Sequence, residues 1–325
     1  MILLVSPAPH TDSVLGNGVT ARRWAALLGS LGHRVRIARQ YEPGDHTALV
    51  ALHAGKSAGA VRAFASAHPA APIVLALTGT DLYPDLAATG VDPAVLRLAT
   101  RLVVLQRHGT RQVAAVDGEL ASRVRVIVQS VEPPAPAPRR QDVFEVVVLA
   151  HLRPVKDPLL AAAAAGLLPE SSRLVVSHAG AGLDPALAAR AQRESAVSPR
   201  YDWLGELARP DALALLARSR ALVLTSRHEG GANVVSEALA TGVPVLATAI
   251  PGSTGLLGDG YPGCFPVGDP AALAKLLLAF ERDENGLRTR LGEWCAALRP
   301  MVDPQAERRA WAALLAELGL SQPGR

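Results

Sequence analysis

Residues 227–238 read RHEGGANVVSEA, and within them Glu229 and Glu237 stand eight positions apart with Gly230 and Gly231 between them. Two carboxylates so placed can do different work if one ends a loop and the other sits a turn into a helix. Glycines ahead of a helix expose backbone N–H groups where unpaired amides and the helix dipole attract an anion such as a phosphate. A carboxylate one turn further in can accept two hydrogen bonds from a vicinal diol. Spacing alone leaves this reading level with a plainer one, two solvated glutamates beside a tight turn, because a glycine pair before a helix is a weak signal. A second chemistry-bearing stretch is HLRPVKDP (151–158), which gathers His151, Arg153 and Lys156 directly after an apolar run.

The elements that would carry these residues follow from apolar patterning. ALVLTS (221–226) is a strand, and 232–241 is a short helix with Val234, Val235, Ala238 and Leu239 on its apolar face and Glu237 off it. Gly242 stands at the C-cap and Pro244 follows. FEVVVLA (144–150) is the strand that ends at His151. Further strands are expected at 173–180, 201–205 and 243–248, with helices at 158–166, 185–194 and 210–218. The N-terminal half repeats the plan, with strands at 1–6, 33–38, 48–53, 72–79, 101–106 and 123–130 and helices at 20–32, 58–67 and 93–99. Uninterrupted apolar strands alternating with helices imply parallel sheets covered on both faces. EPPAPAPRR (132–140) cannot continue a helix or a central strand and reads as a semi-rigid linker. The stretch 304–318 is an amphipathic helix with Trp311, Leu314, Leu315 and Leu318 on one stripe. The fold expected is α/β, with two doubly wound Rossmann-like domains facing across a cleft. Residues 1–138 form the first, residues 139–303 the second, and 304–325 a C-terminal helix packing back on the first. Ligands of such sheets bind outside the carboxyl ends of the strands.

Composition narrows the classes. With 325 residues, two domains are the default. Hydrophobic residues make up 49% and charged residues 19%, which suits a globular chain with large buried layers. A formal charge of +4, with 33 Lys+Arg against 29 Asp+Glu and no basic stripe, leaves no footprint for nucleic acid. Two cysteines, Cys264 and Cys295, exclude a disulfide framework and lack metal-ligand spacing. No apolar run is long enough to span a membrane, and MILLVSPAP lacks the basic start of a signal peptide, so a cytoplasmic location is expected. No D-x-D element, Walker loop, nucleophile elbow or G-x-G-x-x-G fingerprint occurs at a useful place, so no metal and no cofactor are expected.

With these residues in view, the segment from Glu229–Gly230 to Glu237–Ala238, followed by Ala240, Gly242, Pro244 and Val245, resembles the E-x7-E signature of retaining GT-B glycosyltransferases of family four. The resemblance implies that Glu237 binds the nucleotide ribose and Glu229 the hydroxyls of the donor sugar. Gly230, Gly231, Ala232, Asn233 and Val234 would line the sugar and diphosphate. HLRPVKDP is similar to the family's cation pair that neutralises the diphosphate, with Lys156 in one role and Arg153 or His151 in the other. Glu229, Lys156 and Arg153 are therefore the candidate catalytic residues. Residues 6–35 resemble the family's N-terminal loop and first helix, which implies that Gly16 and Asn17 approach the nucleotide sugar. Arg22 or Arg23 would hold an anion. Strand ends carrying His53, Lys56, Thr78, Asp81 and Arg107 are placed on the acceptor side, with Thr80, Gln106 and His108 beside them.

The strings GHRVR and LTGTDLY of a short N-terminal domain, together with HLRPVKDP beyond it, resemble the selenosugar synthases of selenoneine biosynthesis. That narrower resemblance implies transfer of a sugar, typically from UDP-N-acetylglucosamine, to selenophosphate with formation of a C–Se bond. A selenium nucleophile needs cations to seat it and little general-base help, whereas a hydroxyl acceptor calls for a positioned base, for which Asp81 is the obvious carboxylate. Three other readings stay open: a family-four enzyme with a hydroxyl acceptor, a UDP-sugar epimerase, and a sugar-nucleotide sensor without catalysis.

Overall fold

The structure, a computed structural model, describes residues 1–8 and 16–320; residues 9–15, within the expected N-terminal loop, lie outside the described residues. Contacts divide the chain into two units. The first comprises Met1–Gln129, Glu229–Gly231 and the chain from Pro304 onward, and the second Ser130–His228 and Ala232–Asp303.

The first unit contains β1 (Ile2–Val5), α1 (Gly16–Ser30), β2 (Val35–Ala38), β3 (Ala48–Leu52), α2 (Ala58–Ala67), β4 (Ile73–Leu77), α3 (Pro93–Leu98), β5 (Arg101–Val104), α4 (Gly109–Val116), β6 (Val124–Val126) and a C-terminal helix, Pro304–Glu317. Its strands form one parallel sheet in the order β2-β1-β3-β4-β5-β6. Strand periodicity sorts the apolar residues into two cores. Leu3, Val5, Leu49, Ala51, Leu75 and Leu77 face one layer with Val61, Phe64 and Val95 of α2 and α3. Ile2, Leu4, Val50, Leu52, Val74 and Ala76 face the other, with Trp24 and Leu28 of α1 and Trp311, Leu314 and Leu315 of the C-terminal helix. Trp24 and Trp311 meet edge to face at 4.8 Å between centroids. Such an aromatic pair adds roughly 0.5–1.5 kcal/mol beyond its buried area.

The second unit contains β7 (Phe144–Leu149), α5 (Leu160–Gly166), β8 (Leu174–Ala179), α6 (Pro185–Val197), β9 (Tyr201–Trp203), α7 (Arg209–Arg218), β10 (Leu222–Leu224), α8 (Asn233–Thr241), β11 (Val245–Thr248), α9 (Pro251–Leu257), β12 (Cys264–Phe265), α10 (Pro270–Arg282) and α11 (Leu287–Leu298). Its sheet is also parallel, in the order β12-β11-β10-β7-β8-β9. Asp184 and Asp269 cap α6 and α10 through their side chains, and Gly242 ends α8 at φ 70°, the left-handed value that favours glycine there. No helix or strand lies between Val126 and Phe144, the stretch that contains the expected proline-rich linker.

Each sheet reverses its strand order at one place, between β1 and β3 in the first and between β7 and β10 in the second. Such a switch point, outside the carboxyl ends of the strands, is where doubly wound sheets take ligands. His53 follows β3, His151–Lys156 follow β7, and the RHEGGA loop follows β10.

Candidate functional site

At the switch point of the second sheet, the loops after β7 and β10 are tied to each other. The Thr225 hydroxyl donates to the Lys156 carbonyl at 2.8 Å, and the Arg227 N–H donates to the Val155 carbonyl at 2.8 Å. Arg227 also ion-pairs with Asp157 at 2.7 Å. Residues Pro154–Lys156 form one 3-10 turn that ends at Asp157 in the left-handed region, φ 43°. Lys156 is thereby carried on a fixed turn at the sheet's carboxyl edge, half-buried, and Arg153 at the start of that turn is exposed.

His151 faces inward along the same rim: its Nδ1 accepts from the Ala181 N–H at 3.0 Å. Beneath it, His178 is fully buried. Its Nε2 donates to the Ala150 carbonyl and its Nδ1 accepts from the Tyr201 hydroxyl, both at 2.8 Å, which fixes the neutral tautomer. Burial holds the His178 pKa down at about 4. Gly180 is glycine because a side chain there would meet the Ala150 carbonyl at 1.9 Å. These contacts make the rim a rigid support rather than a set of loose loops.

Helix α8 begins after Ala232, whose methyl side chain cannot accept from the first amides of the helix as a capping residue would. The sequence places Glu237 off the apolar face, but the structure buries it: only 6% of the residue is exposed, and Ser236, Ala238, Leu239 and Ala240 are buried with it. The reason is a partner that the sequence reading does not include. Arg209, the first residue of α7, donates from Nη1 to Glu237 Oε1 at 2.7 Å. A carboxylate this buried needs such a countercharge. The two residues are 28 positions apart, and no local pattern links them.

The Glu229–Gly231 segment belongs by its contacts to the first unit. A side chain on Gly230 would lie 2.4 Å from the Thr78 carbonyl carbon, and one on Gly231 2.5 Å from the Leu105 Cβ. Gln129 donates from Nε2 to the Gly231 carbonyl at 2.8 Å. Close backbone approach is therefore one physical reason for both glycines, besides the amides they offer. Glu229 is half-buried.

The acceptor-side residues separate into groups. Asp81 is buried and its carboxylate is held by the backbone, accepting from Thr78 N–H at 2.9 Å, Gly79 N–H at 2.8 Å and Ala54 N–H at 2.7 Å. It clamps the β3 and β4 exits together. His53 sits at φ 70°, rare for a residue with a side chain. Its Nδ1 accepts from Lys56 N–H at 3.3 Å, so its Nε2 donates to Thr80 Oγ1 at 3.1 Å. Burial lowers the His53 pKa, with Asp81 opposing that shift. The Lys56 side chain is exposed and Thr78 half-buried beside this cluster. Arg23 turns to Glu307 of the C-terminal helix, pairing at 3.0 Å, and donates from Nη2 to Gln129 at 2.7 Å; Glu307 also accepts from Trp24 Nε1 at 2.7 Å. The Arg23 charge is thus engaged within the fold. Arg22 and Arg107 are exposed, and Gly16 and Asn17 form the first turn of α1. Gln106 is fully buried and donates to the Tyr83 hydroxyl at 2.7 Å. Among the described residues, no three His, Cys, Asp or Glu side chains gather to hold a metal ion. No helix among them is long and apolar enough to cross a membrane.

Residues 134–294, which include the β7 rim, Arg209 and α8, match the family described as glycosyl transferases group 1. That match spans just under half of the chain. The chain is similar to the D-inositol 3-phosphate glycosyltransferase of Mycolicibacterium paratuberculosis, 28% identical over 254 residues, covering 72% of this chain. The chain spans only 55% of that relative's length. Among solved structures it is similar to Anabaena HepE in complex with UDP and glucose, at TM-score 0.75 and 18% identity over 97% of this chain and 99% of that one. Sucrose-phosphate synthase from Thermosynechococcus elongatus gives TM-score 0.75 at 15% identity, covering 99% of each chain. Two six-stranded parallel sheets with helices match these GT-B structures, so the fold of this chain is GT-B.

Proposed function

We propose that the chain is a glycosyltransferase that takes a UDP-sugar, N-acetylglucosamine by the resemblance of its N-terminal strings, and transfers the sugar to selenophosphate with formation of a C–Se bond. The observation that carries the donor half is the joined pair of loops at the β7/β10 switch point, with Lys156 on one and α8 with Glu237 next after the other. The HepE structures contain UDP, UDP with glucose, and UDP-glucose, which supports a uridine nucleotide as donor.

In this reading Glu237 accepts the ribose hydroxyls through the carboxylate that α8 buries. The amides that open α8, with Lys156 and Arg153, stabilise the diphosphate as the C1–O bond to it breaks. Glu229 holds the donor sugar's hydroxyls. The selenium of selenophosphate supplies the electron pair that forms the new bond to C1, and UDP leaves carrying the other pair. Catalysis comes from positioning and from leaving-group stabilisation.

The first unit supports an acceptor that arrives already ionised. Asp81, the carboxylate expected to serve as a base, is committed to three backbone N–H groups, and the neighbouring His53 has its acceptor nitrogen engaged by Lys56 N–H. Lys56, Arg22 and Arg107 present exposed cations that suit an oxyanion. A second reading keeps the donor and changes the acceptor: the curated relative is named for an inositol 3-phosphate, an acceptor that carries a phosphate and a hydroxyl nucleophile. UDP release from UDP-N-acetylglucosamine, measured with selenophosphate, thiophosphate, phosphate and inositol 3-phosphate in turn, separates the two. Release with selenophosphate alone supports the first, release with the inositol phosphate alone supports the second, and release with none of them counts against both.

A further inference from the structure

We infer that Arg209 is a positioning residue for ribose recognition: it pins one oxygen of Glu237 so that the other is presented to the nucleotide. This rests on the donor-site reading above and adds to it a residue outside the E-x7-E segment. Four observations support it. The Glu237 side chain is 8% exposed, a burial that disfavours a carboxylate without a countercharge. Arg209 supplies that charge from the first residue of α7, donating to Oε1 at 2.7 Å. Oε2 takes no hydrogen bond among the described residues, yet it is not among the sealed, unpartnered polar atoms, so it has an open side. Finally, Thr241 Oγ1 donates to the Glu237 carbonyl at 2.8 Å, fixing the backbone that carries the side chain.

A glutamate side chain has three rotatable bonds, and a carboxylate that must meet a diol has to be held in one plane. An ion pair through Nη1 to one oxygen removes most of that freedom before the ligand arrives, which is the usual source of affinity from preorganisation. The Arg209 side chain is itself 45% exposed. Shortening it therefore opens no cavity in the core; the loss falls on the Glu237 carboxylate, whose countercharge goes, so stability falls along with recognition and the two are separated by comparing two ligands.

The test uses the full chain and two probes, UDP and 2′,3′-dideoxyuridine 5′-diphosphate, with binding followed by titration calorimetry. The wild type should bind UDP about tenfold or more tighter than the dideoxy nucleotide, the order of one charge-assisted hydrogen bond. Arg209→Ala should weaken UDP about tenfold and leave the dideoxy nucleotide within about twofold, so that discrimination collapses. Arg209→Lys, which restores a cation, should recover most of it. A purely structural role would weaken both ligands equally, and that result overturns the inference, as does an Arg209→Ala protein with unchanged discrimination. In either case UDP binding by the wild type leaves the donor-site reading standing. A wild-type chain that does not bind UDP overturns both.

Discussion

Replacing Asp81 with asparagine separates a structural carboxylate from a catalytic one. In the structure one oxygen accepts from Thr78 and Gly79 N–H groups at 2.9 and 2.8 Å, and the other from Ala54 N–H at 2.7 Å. The amide oxygen introduced by Asp81→Asn can keep the first two bonds, but the new NH2 group then faces the Ala54 N–H, donor against donor. One buried backbone donor loses its partner, which costs about 1–3 kcal/mol, and two charge-assisted bonds become neutral ones of roughly half the strength. The sum is about 2–4 kcal/mol, and for a unit of this size each kcal/mol moves the melting midpoint by roughly 2–4 °C. Scanning calorimetry should therefore show the Asp81→Asn protein melting roughly 5–15 °C below the wild type. Steady-state turnover measured well below both transitions should fall less than about tenfold and keep the wild-type pH profile. An unchanged midpoint, with turnover down about a thousandfold and the acidic limb of the pH profile lost, would refute the structural role, because that is the signature of a general base.

Glu237→Ala should raise the dissociation constant of UDP about tenfold or more, and unchanged titration would remove Glu237 from the ribose site. Lys156→Ala should depress kcat about a hundredfold with KM for the donor changed far less, since its charge is used as the diphosphate departs; a pure KM effect would contradict that role. Gly230→Ala, whose Cβ would meet the Thr78 backbone at 2.4 Å, should cost activity or stability, whereas Gly166→Ala in α5, with nothing within 4 Å, should be neutral or stabilising by up to about 1 kcal/mol. Acid should destabilise the second unit through His178. Its folded pKa of about 4 lies below the ordinary 6.5, so the unfolded chain binds the proton first. That contribution is full above pH 6.5 and declines as pH falls towards 4, by about 1.4 kcal/mol per pH unit and about 3 kcal/mol in all. Denaturant titrations of wild type and His178→Gln across that window check it: a slope unchanged by the substitution would rule His178 out as its source.

Much of the fold is legible in the sequence because a parallel sheet buried on both faces leaves unbroken runs such as ILLV and LVVSHA, flanked by helices with caps at Asp184 and Gly242. Helix α4 escapes sequence reading because GTRQVAAV is short and looks like the polar exit of β5. Helices α9 to α11 are also missing from the sequence assignment, although Asp269 before Pro270 is a start signal for α10. In the candidate site, the legible part is local: the glycines, the glutamates and the cationic turn after β7. The illegible part depends on long-range pairing, as with Arg209 on Glu237 and Arg23 on Glu307, 284 residues away. Asp81 lies between these cases. Its bonds to Thr78 and Gly79 are the local turn chemistry that Asp favours, but the bond to Ala54 requires β3 and β4 to be neighbours.

The most direct measurement is mass spectrometry of the products after the purified chain meets UDP-N-acetylglucosamine and selenophosphate. The account predicts UDP together with a new N-acetylhexosamine species bearing the selenium isotope pattern, dependent on the chain and formed more slowly at low donor concentration with Glu237→Ala. An intact donor, or a sugar product free of selenium, would contradict it.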